Sequence, residues 1–134
     1  MNLGIIGCGA IGTDVAKAAD AMKEIKKIYL YDIDKEASRS LCKILKKGEI
    51  QKVSDFLDDV DVVFEGASQQ AVIEYAEQIL KAGKDLILMS VEVYLTAVFE
   101  RNLKKLQEKN VVKFMCRQVQ CVGLMAYYLP AWAG

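Results

Sequence analysis

Histidine is absent from the 134 residues. That removes every mechanism in which an imidazole of this chain is base, nucleophile partner or metal ligand. Proline occurs once, and the composition is 53% hydrophobic and 27% charged, which excludes a disordered or linker-rich chain. No sign of charge is in excess: Lys+Arg 18 and Asp+Glu 18 cancel. There is then no broad basic field to hold nucleic acid or an anionic membrane. No apolar run approaches the roughly 18 residues of a membrane span, and no signal-peptide pattern opens the chain. The four cysteines lack the paired spacings of a disulfide framework or a zinc site, so reduced thiols and a cytoplasmic location are expected. Cys116 and Cys121 have no partner histidines and no second pair, which argues against a metal. The length fits one domain of roughly 100–200 residues with one full core.

What is present is alternation. Short apolar runs at residues 3–6, 28–31, 60–65 and 85–90 predict strands, with a weaker one at 50–53 and a sixth at 111–115. Between them lie helix-period segments. Ile11, Val15, Ala18, Ala19 and Met22 predict one inner face; Ala37, Leu41, Ile44 and Leu45 predict a second, with Asp34 as its N-cap and Gly48 at its end. A short turn falls around Phe56 and Leu57. Val72, Tyr75, Ala76, Ile79 and Leu80 give the cleanest period, stopped by Gly83. Leu95, Phe99, Leu103 and Leu106 predict a last helix. The run at 85–90 does not alternate and is expected to be buried on both faces. Lys23, Lys26 and Lys27 read as a solvated face. Strands separated by crossover helices imply a parallel sheet.

One motif carries chemistry. Gly7-Cys8-Gly9-Ala10-Ile11-Gly12 follows a predicted strand, opens a predicted helix, and has Asp32 20 residues past Gly12 at the end of the second strand. Gly7 permits the tight turn, Gly9 lets backbone approach a pyrophosphate, and Gly12 lets helix and strand pack closely. The amides of Ala10 and Ile11 then sit at a helix N-terminus, where the dipole favours phosphate. Asp32 can accept hydrogen bonds from ribose hydroxyls and repels a 2′-phosphate, which favours NAD over NADP. Lys35 and Arg39 lie close enough to soften that preference, so NADP stays open. The bland alternative is a glycine turn that merely packs, with Asp32 capping a strand. Cys8 reads as a small filler and not a redox group.

The predicted fold is α/β: a Rossmann-type doubly wound, mostly parallel six-stranded sheet with helices on both faces. In such sheets ligands lie outside the carboxyl ends of strands where strand order reverses. The turn Glu65-Gly66-Ala67-Ser68 falls there, so Ala67 and Ser68 are expected to touch the nicotinamide half of the cofactor. Ser68 is also a candidate N-cap for the helix that follows.

The opening GIIGCGAIG, the Tyr31-Asp32 strand end, and Glu65-Gly66-Ala67-Ser68-Gln69-Gln70-Ala71-Val72 with Tyr75-Ala76 and AGKDLILMSV resemble the L-aspartate dehydrogenases. The likeness covers residues 1–115, expected to be the NAD(P)-binding domain; 116–134 is an atypical tail. The resemblance implies NAD(P)-dependent oxidative deamination of L-aspartate, through iminoaspartate, to oxaloacetate and ammonia. In some organisms that reaction feeds NAD biosynthesis.

There are departures. After Ser90 the family usually has a small, glycine-containing turn, where this sequence has Val91-Glu92-Val93-Tyr94. The family's sixth strand leads to a Pro-Ser-Gly-Ala…Gly-Leu-Asp-Gly segment and a second domain that dimerises and supplies a catalytic histidine. Neither is expected here, so no catalytic residue is named and NAD binding without appreciable turnover is expected. Read two bases later, the codons permitted for residues 115–126 allow Val-Pro-Ser-Gly-Ala-(Met or Val)-(Cys or Arg)-Gly-Leu-Asp-Gly. A frameshift near Phe114 is the expectation drawn from that match, and resequencing the gene tests it. The rival readings are a ligand-sensing regulatory module of similar fold and an inactive truncated product, either of which leaves an oligomer open.

Overall fold

The computed structural model of the chain describes residues 1–89. Within them strands and helices alternate: β1 (Asn2–Ile6), α1 (Ala10–Ala21), β2 (Lys27–Tyr31), α2 (Lys35–Ile44), β3 (Gly48–Ile50), α3 (Val53–Phe56), β4 (Val62–Glu65), α4 (Gln69–Lys81) and β5 (Asp85–Leu88). The strands pair in parallel in the order β3-β2-β1-β4-β5. The chain winds outward from β1 to β3, then returns to lay β4 against the other side of β1. Strand order therefore reverses between β1 and β4. This is the doubly wound α/β fold expected from the alternation; the sixth strand at 111–115, the helix before it and the tail lie outside the described residues.

Both faces of the sheet are covered. On one face Ala16, Ala19 and Leu41 from α1 and α2 pack with Leu3, Ile5, Ile28, Leu30, Val62 and Phe64. On the other, Phe56, Ala76, Ile79 and Leu80 from α3 and α4 pack with Ile6, Tyr29, Val63, Leu86 and Leu88. Each fully buried large side chain contributes about 1.5–3 kcal/mol of burial. Phe56 packs close on β1 because the strand has glycine there: a Cβ at Gly4 would come 2.8 Å from its ring. The same ring stacks on Tyr29, centroids 5.7 Å apart. In β5, Leu86 and Leu88 face one layer while Ile87 and Met89 pack into the other, as the unalternating run implied.

Two helices differ from their predicted faces. In α1 the buried positions are Gly12, Ala16 and Ala19, while Ile11, Ala18 and Met22 are exposed. Gly12 decides this, since a Cβ there would lie 1.8 Å from the Gly7 carbonyl oxygen. The helix is pressed on the loop at Gly12, and that rotation turns Ile11 outward. In α2, Asp34 is the N-cap and accepts the amides of Glu36 and Ala37, as expected. Its end is different: α2 stops at Ile44, which is exposed, and Gly48 opens β3 opposite Ile28. The Asp20 carboxylate at the end of α1 collects the amides of Lys46 and Lys47 and fixes this early exit. The weak strand predicted at 50–53 is thus displaced to Gly48–Ile50, and Val53 begins α3.

Candidate dinucleotide site

The strands end level. Ile6 is in register with Tyr31 on one side and with Glu65 on the other, and Glu65 with Leu88. The loops that follow therefore leave the sheet side by side at the point where strand order reverses. The Gly7 amide donates to the Tyr31 carbonyl at 2.9 Å and the Gly66 amide to the Ile6 carbonyl at 2.9 Å, which binds the three loops at their roots.

The glycine loop has the shape its sequence requires. Gly7 has φ +96°, a left-handed conformation that a side chain resists. Space is closed there as well: a Cβ at Gly7 would lie 2.6 Å from the Ala67 amide nitrogen. The loop from β1 and the turn after β4 are thus in direct contact. Gly9 is the opposite case, with nothing within 4 Å of where a Cβ would stand. It is the N-cap of α1, no side chain caps the helix, and its first turn carries no acid. The Thr13 hydroxyl donates to the Cys8 carbonyl at 3.2 Å and pins the loop from behind. An uncapped helix start behind an open glycine is a cradle for an anion.

At the end of β2 the Asp32 carboxylate faces this loop. One oxygen accepts the Cys8 amide at 2.6 Å and the other the Asp34 amide at 2.8 Å. A carboxylate has about four lone-pair positions, so each oxygen keeps a second for a hydroxyl donor. Arg39 pairs with Glu36 along α2 at 3.8 Å, both exposed.

The profile of homoserine dehydrogenase NAD-binding domains matches residues 7–117. The chain belongs to this family. It is also similar to L-aspartate dehydrogenases: 34% identical over 125 residues to that of Methanothermobacter thermautotrophicus, covering 92% of this chain and 49% of the relative. The Nitrosopumilus maritimus enzyme is 39% identical over 98 residues, covering 70% of this chain and 36% of the relative. Among solved structures, Thermotoga maritima aspartate dehydrogenase superposes with TM-score 0.69 at 27% identity, covering 98% of this chain and 50% of that one. The chain spans about half the length, or less, of these relatives.

In this NAD-binding domain the residues expected at the site come together. Gly7, Gly9 and Gly12 shape the loop, Ala10 and Ile11 open α1, Asp32 adjoins it, and Ala67 touches Gly7. Ser68 caps α4, its hydroxyl accepting the Ala71 amide at 3.2 Å. Cys8 is buried, and burial with the nearby Asp32 charge pushes its thiol up to about 12. At neutral pH it is an unreactive thiol, a filler as its sequence position implied. Among the described residues no group of three or more metal-ligating side chains gathers, and no helix is long and apolar enough to cross a membrane. Glu92, Cys116 and Cys121 lie outside the described residues.

Sequence reasoning passed over Ile33, and it named Glu65 only as the first residue of its turn, with no role for the side chain. Ile33, beside Asp32, is 78% exposed, an apolar surface at the rim of the crevice. Glu65 is 1% exposed, and its Oε1 accepts the amides of Ala67 at 2.8 Å and Ser68 at 3.0 Å. Its signal was a carboxylate closing an otherwise apolar strand, two and three residues before the amides of a turn.

Proposed function

We propose that this chain is the cofactor-holding part of an L-aspartate dehydrogenase, and that it prefers NAD to NADP. Residues 1–115 form the binding domain on this reading. The amides of Ala10, Ile11 and Gly12 hold the pyrophosphate over Gly9. Asp32 takes the adenosine ribose hydroxyls on its two remaining lone pairs, and Ile33 offers the adenine an apolar wall. The nicotinamide half lies across the reversal of strand order, beside Ala67 and Ser68. When bound, the cofactor supplies the hydride acceptor for the aspartate α-carbon; the protein supplies placement and electrostatics.

The observation that carries this reading is the pairing of an uncapped α1 with an Asp32 carboxylate bonded to the loop at 2.6 Å. A turn that only packs needs no open face at Gly9. Among the described residues, the two carboxylates nearest the crevice, Asp32 and Glu65, are both engaged by backbone amides. Neither is placed as a general base, so we infer binding by this chain without appreciable turnover. Titration with NADH and NADPH followed by nicotinamide fluorescence tests the first claim, with NADH expected to bind at least ~10-fold more tightly. Equal affinities remove the assigned role of Asp32, and no binding removes the site. Aspartate-dependent formation of NADH by the 134-residue chain at an enzymatic rate overturns the second.

A further inference from the structure

Glu65 is a buried charged-type side chain in a fold whose other described strands end on tyrosine or aliphatic residues. Burying a carboxyl costs several kcal/mol unless hydrogen bonds replace its water. Here they do, and they come from a specific place. Oε1 accepts the amides of Ala67 and Ser68, the turn between β4 and α4. Ser68 in turn accepts the Ala71 amide, so α4 has a side-chain cap where α1 has none. The turn so held is the one that presses on the glycine loop, with the Ala67 amide nitrogen 2.6 Å from where a Gly7 Cβ would stand.

We propose that Glu65 is a positioning residue for the nicotinamide half of the cofactor, acting through the backbone of Ala67 and Ser68. This rests on the reading of the crevice as a dinucleotide site. Three placements combine. The carboxylate sets the turn from below, inside the sheet layer. The Gly66 amide, donating to the Ile6 carbonyl, sets it at its root. Contact with Gly7 sets it from the side. The turn then has one position relative to the pyrophosphate loop, and the nicotinamide and its ribose rest against a fixed edge. Asp32 and Ile33, on the far side of the glycine loop, hold the adenosine independently of Glu65.

The test compares NADH with AMP, which carries only the adenosine half and one phosphate, on the 134-residue chain and on its E65A, E65D and E65Q variants. E65A removes the acceptor; E65D keeps a carboxyl but shortens the arm by one methylene; E65Q keeps an acceptor oxygen at the same reach. The expected result is a loss of NADH affinity of ~10-fold in E65A and ~5-fold in E65D, with AMP affinity within about twofold of the parent and E65Q restoring NADH binding. The emission shift of bound NADH is expected to diminish in E65A and E65D and return in E65Q. Unchanged NADH affinity and emission in both folded variants overturns the proposal. Parallel losses for NADH and AMP overturn it too, because Glu65 then serves the whole fold and not one half of the site. Should E65A fail to fold by circular dichroism, E65D decides by the same criteria. Failure of the unaltered chain to bind either ligand is a different result, since it removes the site itself.

Discussion

The carboxylate of Asp32 accepts the amide of Cys8 at 2.6 Å, so the side chain assigned to the cofactor's sugar also holds the loop assigned to its phosphates. Recognition and loop geometry are joined in one residue. D32A is expected to lose about 1–3 kcal/mol of stability from its two amide bonds, and ~10-fold or more in NADH affinity. D32N keeps one acceptor oxygen and should fall between. Both variants should narrow the gap between NADH and NADPH, read by paired titrations alongside thermal melts.

Gly9 and Gly12 separate binding from folding. Nothing stands within 4 Å of a Cβ at Gly9, and its φ of −71° suits alanine. G9A should melt with the parent yet bind NADH at least ~10-fold more weakly, because its methyl enters the space proposed for the pyrophosphate. At Gly12 a Cβ would lie 1.8 Å from the Gly7 oxygen, so G12A should cost about 3 kcal/mol or more in a denaturant melt. A G9A protein that binds normally would remove the phosphate from this loop.

Cys8 makes a prediction in pH. Its thiol rises from an ordinary 9.0 to about 12, burial first and Asp32 second. Between those values the unfolded chain has released this proton and the folded chain has not. The unfolded state then binds fewer protons, so stability falls as pH rises from 9 toward 12 and is unaffected by this group below 9. The C8A variant should show a shallower decline over that range. In the native chain at pH 8, alkylation of Cys8 should be limited by unfolding; rapid modification contradicts the assigned state.

Tyr31 and Tyr75 join β2 to α4. The Tyr75 hydroxyl donates to that of Tyr31 at 2.9 Å, with the rings edge to face at 5.5 Å. Burial, and then the bond to Tyr31, pushes the Tyr75 phenol above its ordinary value. Its contribution is therefore also lost as pH rises above the unfolded phenol range. Y75F keeps the ring contact and loses the bond, for an expected cost of about 0.5–1.5 kcal/mol. Chemical denaturation at pH 7 measures it, and a neutral result would assign the contact to the rings alone.

The fold was legible where local signals agreed. The apolar runs placed β1, β2, β4 and β5 to within a residue or two at each end, and Asp34 announced the start of α2. Periodicity misread α1 because large side chains outweigh glycine in any hydrophobic pattern. The helix is instead seated by the one position with no side chain, Gly12. The α2–β3 link was hidden for another reason: Asp20 reaches it from 26 and 27 residues away in sequence, and no local window contains that contact. The glycine spacing and Asp32 stood out in the sequence because each is expected to match a ligand's shape, and the structure sets them side by side. The Glu65 turn was placed at the site too, but the role of the Glu65 side chain could not be read, since its partners are main-chain amides, which every residue type provides.

Much of the crevice is assembled in advance. Gly12 leaves α1 no room to roll, Asp32 and Thr13 brace the loop at Cys8 from two directions, and level strand ends fix the spacing of the turns. A cofactor entering such a rigid seat spends little on ordering its host, and most of the freedom surrendered is its own. Association should then be fast, and the glycine loop should superpose closely before and after capture.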